Sequence, residues 1–430
     1  AGVLMQTQLT GARLVERMTE RERAIAARVE SVLPELRAHA EACDFSGEFH
    51  RPHLKTLREA GLLGIIVPES YGGLGGGLRD LTAAVYAMGT ACASTALAYF
   101  FHCSSASRGL LPLESLEAGL FDADEAPVVR AFAEKLLRKM GSEGRWLANF
   151  ASESGKSSGS AITISTEAKP VDGGWQLNGV KSFGCSTGVA DEYLVTAKLA
   201  GTTTIDGLCL FFVGRDAPGV RERAKWDALG MRATATHGLI LEDVFVAAED
   251  ALAIPGAFVK MMKMSRGSFV GNQLAVVAIY LGVAQRVYDY AMHHLTGLTF
   301  EDTGRSIVAE SAFHQQLIGQ MTVDLETAFL WARRQLELET SEPPVLPKAR
   351  VVQQWRMCKA EACERSFAVA TAALKACGTS NTGNRGVIAR SLRDLSMGLV
   401  QAFPAERGKI EAAKMAIEIG EQAQFGVKRQ

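Results

Sequence analysis

Apolar residues recur at helical spacing through the first third of the chain. Leu78, Leu81, Val85 and Met88 share one face of a 3.6-residue helix, and ERMTERERAIAARVESVLPELRAHAEA mixes apolar and charged residues with the same period. This spacing predicts an all-helical segment over residues 1–148. At about residue 149 the pattern changes. Gly, Thr, Ser and Val become common, and EYLVTAKLA and GLCLFFV read as short strands. Asn178-Gly179, inside WQLNGVKSF, is a type I′ turn signal and predicts a hairpin at that point. Residues 149–253 therefore read as a compact antiparallel β domain. Helical spacing returns over residues 254–430. NQLAVVAIYLGVAQRVYDYAMHHL is apolar around nearly its whole circumference, which predicts a helix buried in a bundle or at a subunit interface. Phe313, Leu317, Met321 and Leu325 mark the next helix, SEPPVLP breaks it, and residues 350–377 and 404–424 supply two more.

Charge and composition narrow the class. The 430 residues carry 46 Lys and Arg against 47 Asp and Glu, so no general electrostatic pull toward nucleic acid or membrane is expected. No apolar run is long enough to span a bilayer and the first residues lack the order of a secretory signal, so the expectation is a soluble, cytoplasmic protein. The eight cysteines are scattered singly, without a CxxC pair, and read as reduced thiols. His293 and His294 are neighbours whose side chains diverge by about 100° on a helix. No metal site is expected from this pattern.

Four stretches change the picture from class to family. LREAGLLGIIVPESYGGLGGGLRDL with ACASTALA, WQLNGVKSFGCSTGVADEYLVTAK, WDALGMRATATHGLILEDVFV and the helix ending YLGVAQ occur in this order, and together they resemble the acyl-CoA dehydrogenase superfamily over nearly the whole chain. The resemblance implies an α+β architecture. An N-terminal all-α domain would be followed by a middle β-barrel or sandwich domain and a C-terminal four-helix bundle. It also implies FAD, or FMN in a monooxygenase, and a homo-oligomer, dimer or tetramer, in which the cofactor's adenosine end reaches a neighbouring subunit.

Residue by residue, the resemblance implies that Ala151 and Ser152 of FASES meet the flavin pyrimidine, with Glu153 as the acid of that motif. Ser158 matches a serine contacting substrate or CoA, although the aspartate after it is missing. Phe183 stands where an aromatic ring stacks near the isoalloxazine, and Cys185 or Ser186 where a hydroxyl approaches N5. In LKACGTSNTGNRG, Gly378 is retained, Thr379 replaces a second glycine, and Lys375 replaces a glutamine. Leu298 replaces an arginine that meets the flavin pyrophosphate.

The two positions that hold the family's catalytic glutamate are Ala402 and Asn272, neither of which removes a proton from carbon. Glu406 lies four residues past Ala402 and is the remaining candidate base. Pro404 suits a helix start, however, which gives Glu406 the competing role of a first-turn acid at a helix dipole. Three readings stay open. The first is an acyl-CoA or acyl-carrier-protein dehydrogenase that introduces a 2,3-double bond and passes electrons to an electron-transfer flavoprotein. The second is a monooxygenase of the same fold, using reduced flavin from a reductase together with O2. The third is a non-catalytic scaffold.

Overall fold

The computed structural model describes residues 8–153, 163–268 and 273–419. Helices α1 (Glu20–Ser46), α2 (Pro52–Glu59), α3 (Leu78–Ala91), α4 (Ala93–Ser104), α5 (Ser107–Glu117) and α6 (Ala126–Met140) come first. Strands β1 (Leu147–Phe150), β2 (Glu167–Val171), β3 (Gly174–Lys181), β4 (Glu192–Leu199), β5 (Leu208–Gly214), β6 (Val220–Glu222), β7 (Leu239–Ala247) and β8 (Ala251–Leu252) follow. The rest is helical again: α7 (Ala257–Met264), α8 (Leu274–Thr296), α9 (Ile307–Glu310), α10 (Ala312–Thr340), α11 (Lys348–Cys377), α12 (Val387–Gly398) and α13 (Ala405–Ile419).

Local chemistry sets several of these boundaries. Thr19 opens α1 with a reciprocal box, its hydroxyl accepting from the Glu22 N–H at 3.1 Å while Glu22 accepts from the Thr19 N–H at 3.0 Å. Gly47, at φ +70°, closes the same helix. Between α10 and α11, Pro343, Pro344 and Pro347 remove the backbone donors a continuing helix needs.

The strands form one curled, half-open sheet in the order β6-β7-β3-β2-β4-β5-β8, with β1 also pairing β4. Among the described residues the expected middle β domain is thus a half-barrel. The hairpin expected at Asn178-Gly179 lies elsewhere. Its turn is Asp172-Gly173, with Gly173 at φ +78° and Val171 paired to Gly174. Both dipeptides are turn signals. Asn178 instead sits within β3 at a shift in register and bonds across to Asp243, donating to its Oδ1 at 3.1 Å and accepting its N–H at 2.9 Å. Glycine is needed at 179 for close approach, since a Cβ there would stand 2.3 Å from Thr166 Oγ1.

Every residue of α8 from Leu274 to Ala284 is buried, against α3, α10, α11 and α12. The apolar circumference read from the sequence is thus covered by this chain's own helices and requires no second subunit. Farther along α8 burial becomes one-sided, at Val287, Ala291 and Leu295. All eight cysteines are free and buried. No helix among the described residues is long and apolar enough to cross a membrane.

Candidate functional site

The sheet has a break, and the site is built around it. Strands β1 and β2 lie one after the other along the same edge of β4, with Phe150 opposite Val195 and Glu167 opposite Lys198. The chain leaves β1 at Ala151, in the gap between them. Lys181, at the end of β3, extends its ammonium into this gap and donates to the Ala151 carbonyl at 3.1 Å and to Glu153 Oε2 at 2.7 Å. Glu153 Oε1 also accepts from the Ser165 N–H at 2.8 Å and the Ser165 hydroxyl at 2.6 Å. The two charged side chains are 0% and 3% exposed. Burial alone raises a carboxyl pKa, but the Lys181 charge and these hydrogen bonds outweigh it and hold Glu153 below its ordinary value. Burial lowers the Lys181 pKa, and Glu153 offsets part of that.

Beside this pair runs the segment Phe183–Ser186. Gly184 lets it pass tightly over β1, for a Cβ there would meet the Phe150 ring at 2.2 Å. Ser186, at φ +66°, is pinned by its N–H to the Thr234 carbonyl at 2.8 Å and accepts the Trp146 indole N–H at 3.1 Å. Cys185 is buried and receives the Thr236 hydroxyl at 3.4 Å. Burial pushes its thiol up to about 11, so it stays protonated at neutral pH.

The neighbouring groups have the chemistry to hold a flat ring. Ser152 is exposed, and the Phe183 ring is 50% exposed and meets Trp226 edge-on at 6.1 Å. The backbone N–H groups of Phe183 and Gly184 donate to nothing among the described residues. An open aromatic face bordered by unpaired donors and a free hydroxyl fits a flat heterocycle with acceptors on its rim, as a flavin ring is. Ser158 and Asn272 lie outside the described residues.

On the C-terminal side, the turn that carries position 402 is held by a residue the sequence reading missed. Lys359 of α11 is 2% exposed and donates to the carbonyls of Gly398 at 2.6 Å and Phe403 at 2.9 Å, one at each end of that turn. Within it, Gln401 accepts a hydrogen bond from the Tyr280 hydroxyl, and Ala402 is exposed at φ +64°. The fully buried Tyr280 is within electrostatic reach of Cys185 and Asp394. Glu406 is exposed in the first turn of α13, which begins at Ala405 just after Pro404.

Arg393 and Asp394 tie three parts of the chain together. Arg393 makes a two-pronged bond to Asp44 of α1, at 2.8 and 2.6 Å, and Asp394 Oδ1 accepts the Met231 N–H of the β-domain loop at 2.8 Å. Burial pushes the Asp394 carboxyl up to about 7, against the opposing Met231 hydrogen bond. The fold therefore favours the protonated form. Its stabilising contribution is full below an ordinary aspartate pKa of about 4 and is lost as pH rises through about 7. Asp394→Asn keeps an acceptor for Met231, so the melting temperature of this variant is expected to fall less between pH 5 and pH 8 than that of the parent.

Lys375 and Gly378 belong to the C-terminal helical part. They lie at the end of α11, which packs on helices, where Asn381 accepts the Tyr290 hydroxyl at 2.7 Å. A cleft of roughly 490 Å³, open mouth included, lies between α1, the α3–α4 junction, α8 and α12. It shares Asp44, Ser94 and Asp394 with the contacts to loop 230–233 and includes neither Phe183 nor Cys185.

Residues 19–112, 148–244 and 274–403 match, in turn, the N-terminal, middle and C-terminal domains of the acyl-CoA dehydrogenase family. The chain is 30% identical over 262 residues to "Probable acyl-CoA dehydrogenase YngJ" of Bacillus subtilis, covering 60% of this chain and 63% of that protein. It is also 30% identical over 281 residues to the L-evernosamine nitrososynthase of a Micromonospora species, covering 65% of this chain and 63% of that one. The aligned regions thus span less than two thirds of either relative. A solved structure described as KijD3 in complex with FMN and dTDP-3-amino-2,3,6-trideoxy-4-keto-3-methyl-D-glucose shares the fold, with a TM-score of 0.76 at 24% identity over 97% of this chain and 98% of that one. Three matches in chain order, one to each structural part, show that the chain belongs to the acyl-CoA dehydrogenase superfamily of flavin-dependent oxidoreductases.

Proposed function

We propose that this chain is a flavin-dependent monooxygenase, transferring one oxygen atom of O2 to a heteroatom of a small polar substrate. The observation that carries this reading is the side-chain set around position 402. Tyr280 and Gln401 are hydrogen-bonded to each other and neutral, Ala402 has no acid or base, and Glu406 is exposed on the helix beyond. Groups of this kind orient a substrate and exclude water, but none of them removes a proton from carbon. The similarity to a nitrososynthase and the fold shared with an FMN complex support the same reading.

Bound reduced flavin supplies the two electrons that O2 cleavage requires, one oxygen going to substrate and the other to water. Ser152 and the N–H groups of Phe183 and Gly184 would hold the ring's rim, and the exposed Phe183 ring would supply an apolar contact. Tyr280 and Gln401 position the substrate, and Asp394 fixes the β-domain loop against α12. A separate flavin reductase supplies the reduced cofactor, and the end of α11 with Lys375 and Gly378 serves the cofactor held by a neighbouring subunit of a homo-oligomer.

The similarity to YngJ favours a second reading, dehydrogenation of an acyl thioester, with Glu406 as the base. The assays separate the two. Under the proposal, the flavin-loaded protein does not bleach anaerobically with acyl-CoA. It consumes oxygen when a flavin reductase, nicotinamide cofactor and an amine or sulfide substrate are supplied, and Glu406→Gln leaves that turnover undiminished. Bleaching with release of a 2-enoyl thioester would instead establish the dehydrogenase, and its loss in Glu406→Gln would identify the base.

A further inference from the structure

The turn between α1 and α2 gathers three histidines, His39, His50 and His53. Glu35 and His39 are four residues apart on one face of α1, His50 is in the turn, and His53 is in the first turn of α2. We propose that Glu35, His39 and His50 form a binding site for a transition-metal dication of the zinc class. Their ligand atoms all lie within 4.8 Å of one another, and Glu35 Oε1 is 3.1 Å from His39 Nε2. Ligands around a tetrahedral zinc stand about 3.3 Å apart, so a modest contraction closes the site. One carboxylate and two imidazoles are a donor set that Zn2+ accepts, leaving a fourth position open.

A second observation points to a ligand here. His53 packs edge-on against both rings, with centroids 4.5 Å from His50 and 5.6 Å from His39. Its Nδ1 is 2.9 Å from the Thr95 hydroxyl, but its Nε2 has no hydrogen-bond partner although the residue is 0% exposed. A buried nitrogen left in that state is costly, and under the proposal a water on the ion's open fourth position is its partner. The rings of His39 and His50 are stacked, with centroids 4.0 Å apart and planes 19° apart, so binding one ion requires at least one ring to unstack and turn its nitrogen toward the other two ligands.

The position gives the ion a structural consequence. The same turn docks on the β domain. Arg51 donates to the Gly188 carbonyl at 3.1 Å, and Phe49 meets Trp146, which holds Ser186 of the ring-facing segment. Metal occupancy braces this turn.

The test uses full-length protein without a histidine tag, stripped with a chelator and titrated with Zn2+ by calorimetry and with Co2+ by visible spectroscopy. The expected result is one ion per chain and the intense visible band of a four-coordinate cobalt site. His39→Ala and His50→Ala should each weaken binding at least about tenfold, and His293→Ala should leave it unchanged. Zn2+ should also raise the melting temperature of the parent but not of Glu35→Gln, a readout that holds even if a histidine variant folds poorly. Absence of saturable one-to-one binding, survival of binding in the His39→Ala/His50→Ala double variant, or no thermal shift in the parent would overturn the site.

Discussion

Lys181→Met is expected to cost the fold about 3–5 kcal/mol, the range found when one partner of a buried ion pair is removed. The reason is the environment of Glu153, whose side chain is 3% exposed and whose pKa Lys181 holds down. Without the ammonium, the carboxylate keeps its Ser165 bonds but loses the one charge paired with it among the described residues, and must protonate or draw in water. The Ala151 carbonyl loses its partner as well. Flavin content should fall with stability, because the strand exit at Ala151–Ser152 and the Phe183–Ser186 segment are both anchored beside this pair. Adding Glu153→Gln to the first change should recover most of the loss, since the amide still accepts from Ser165 without a buried charge. The pH sign is opposite to that of Asp394. A carboxyl held low stabilises above its unfolded pKa, and that contribution disappears only as pH falls through the folded value. Denaturant titrations at pH 7 and pH 4 test both points. A single variant as stable as the parent at pH 7 would mean that the pair does not hold the sheet break.

Lys359→Met is the second large effect, and it acts on the turn bearing Gln401 and Ala402. The substitution leaves the carbonyls of Gly398 and Phe403 without their donor, at a cost of about 1–3 kcal/mol for each buried group. Tyr280→Phe breaks the contact to Gln401 from the other side while leaving Lys359 in place. If Lys359 positions the turn, amide exchange over residues 399–403 should speed up in Lys359→Met far more than in Tyr280→Phe. Turnover should fall in both, and the two effects should be non-additive because they act on one turn. Unchanged exchange in Lys359→Met would reduce the lysine to a core-filling role.

The two predictions rest on residues that the sequence presented poorly. Lys181 lies 28 positions from Glu153, and Lys359 lies 39 and 44 positions from the carbonyls it holds. In a linear pattern each reads as a surface lysine, because burial of a charge leaves no mark on local periodicity. The histidines of the α1–α2 turn were missed for the same reason. A search for adjacent ligands finds His293 and His294, which diverge, and passes over His39, His50 and His53, which the helix hairpin folds together. The hairpin was misplaced because two turn dipeptides, Asp172-Gly173 and Asn178-Gly179, compete within one stretch, and the pairing of β3 with β2 and β7 selects the first.

What the sequence determined by itself was the order of helices, sheet and helices, and the family. Both follow from short-range signals: apolar periods that repeat every two or 3.6 residues, and motif strings whose members are close in the chain. Only the tertiary structure decided where the sheet breaks, which lysines become internal, that the apolar girdle of α8 is consumed within one chain, and which side chains surround position 402. Those outcomes depend on contacts between distant segments, where burial fixes the partner of each polar group and the residue type alone does not.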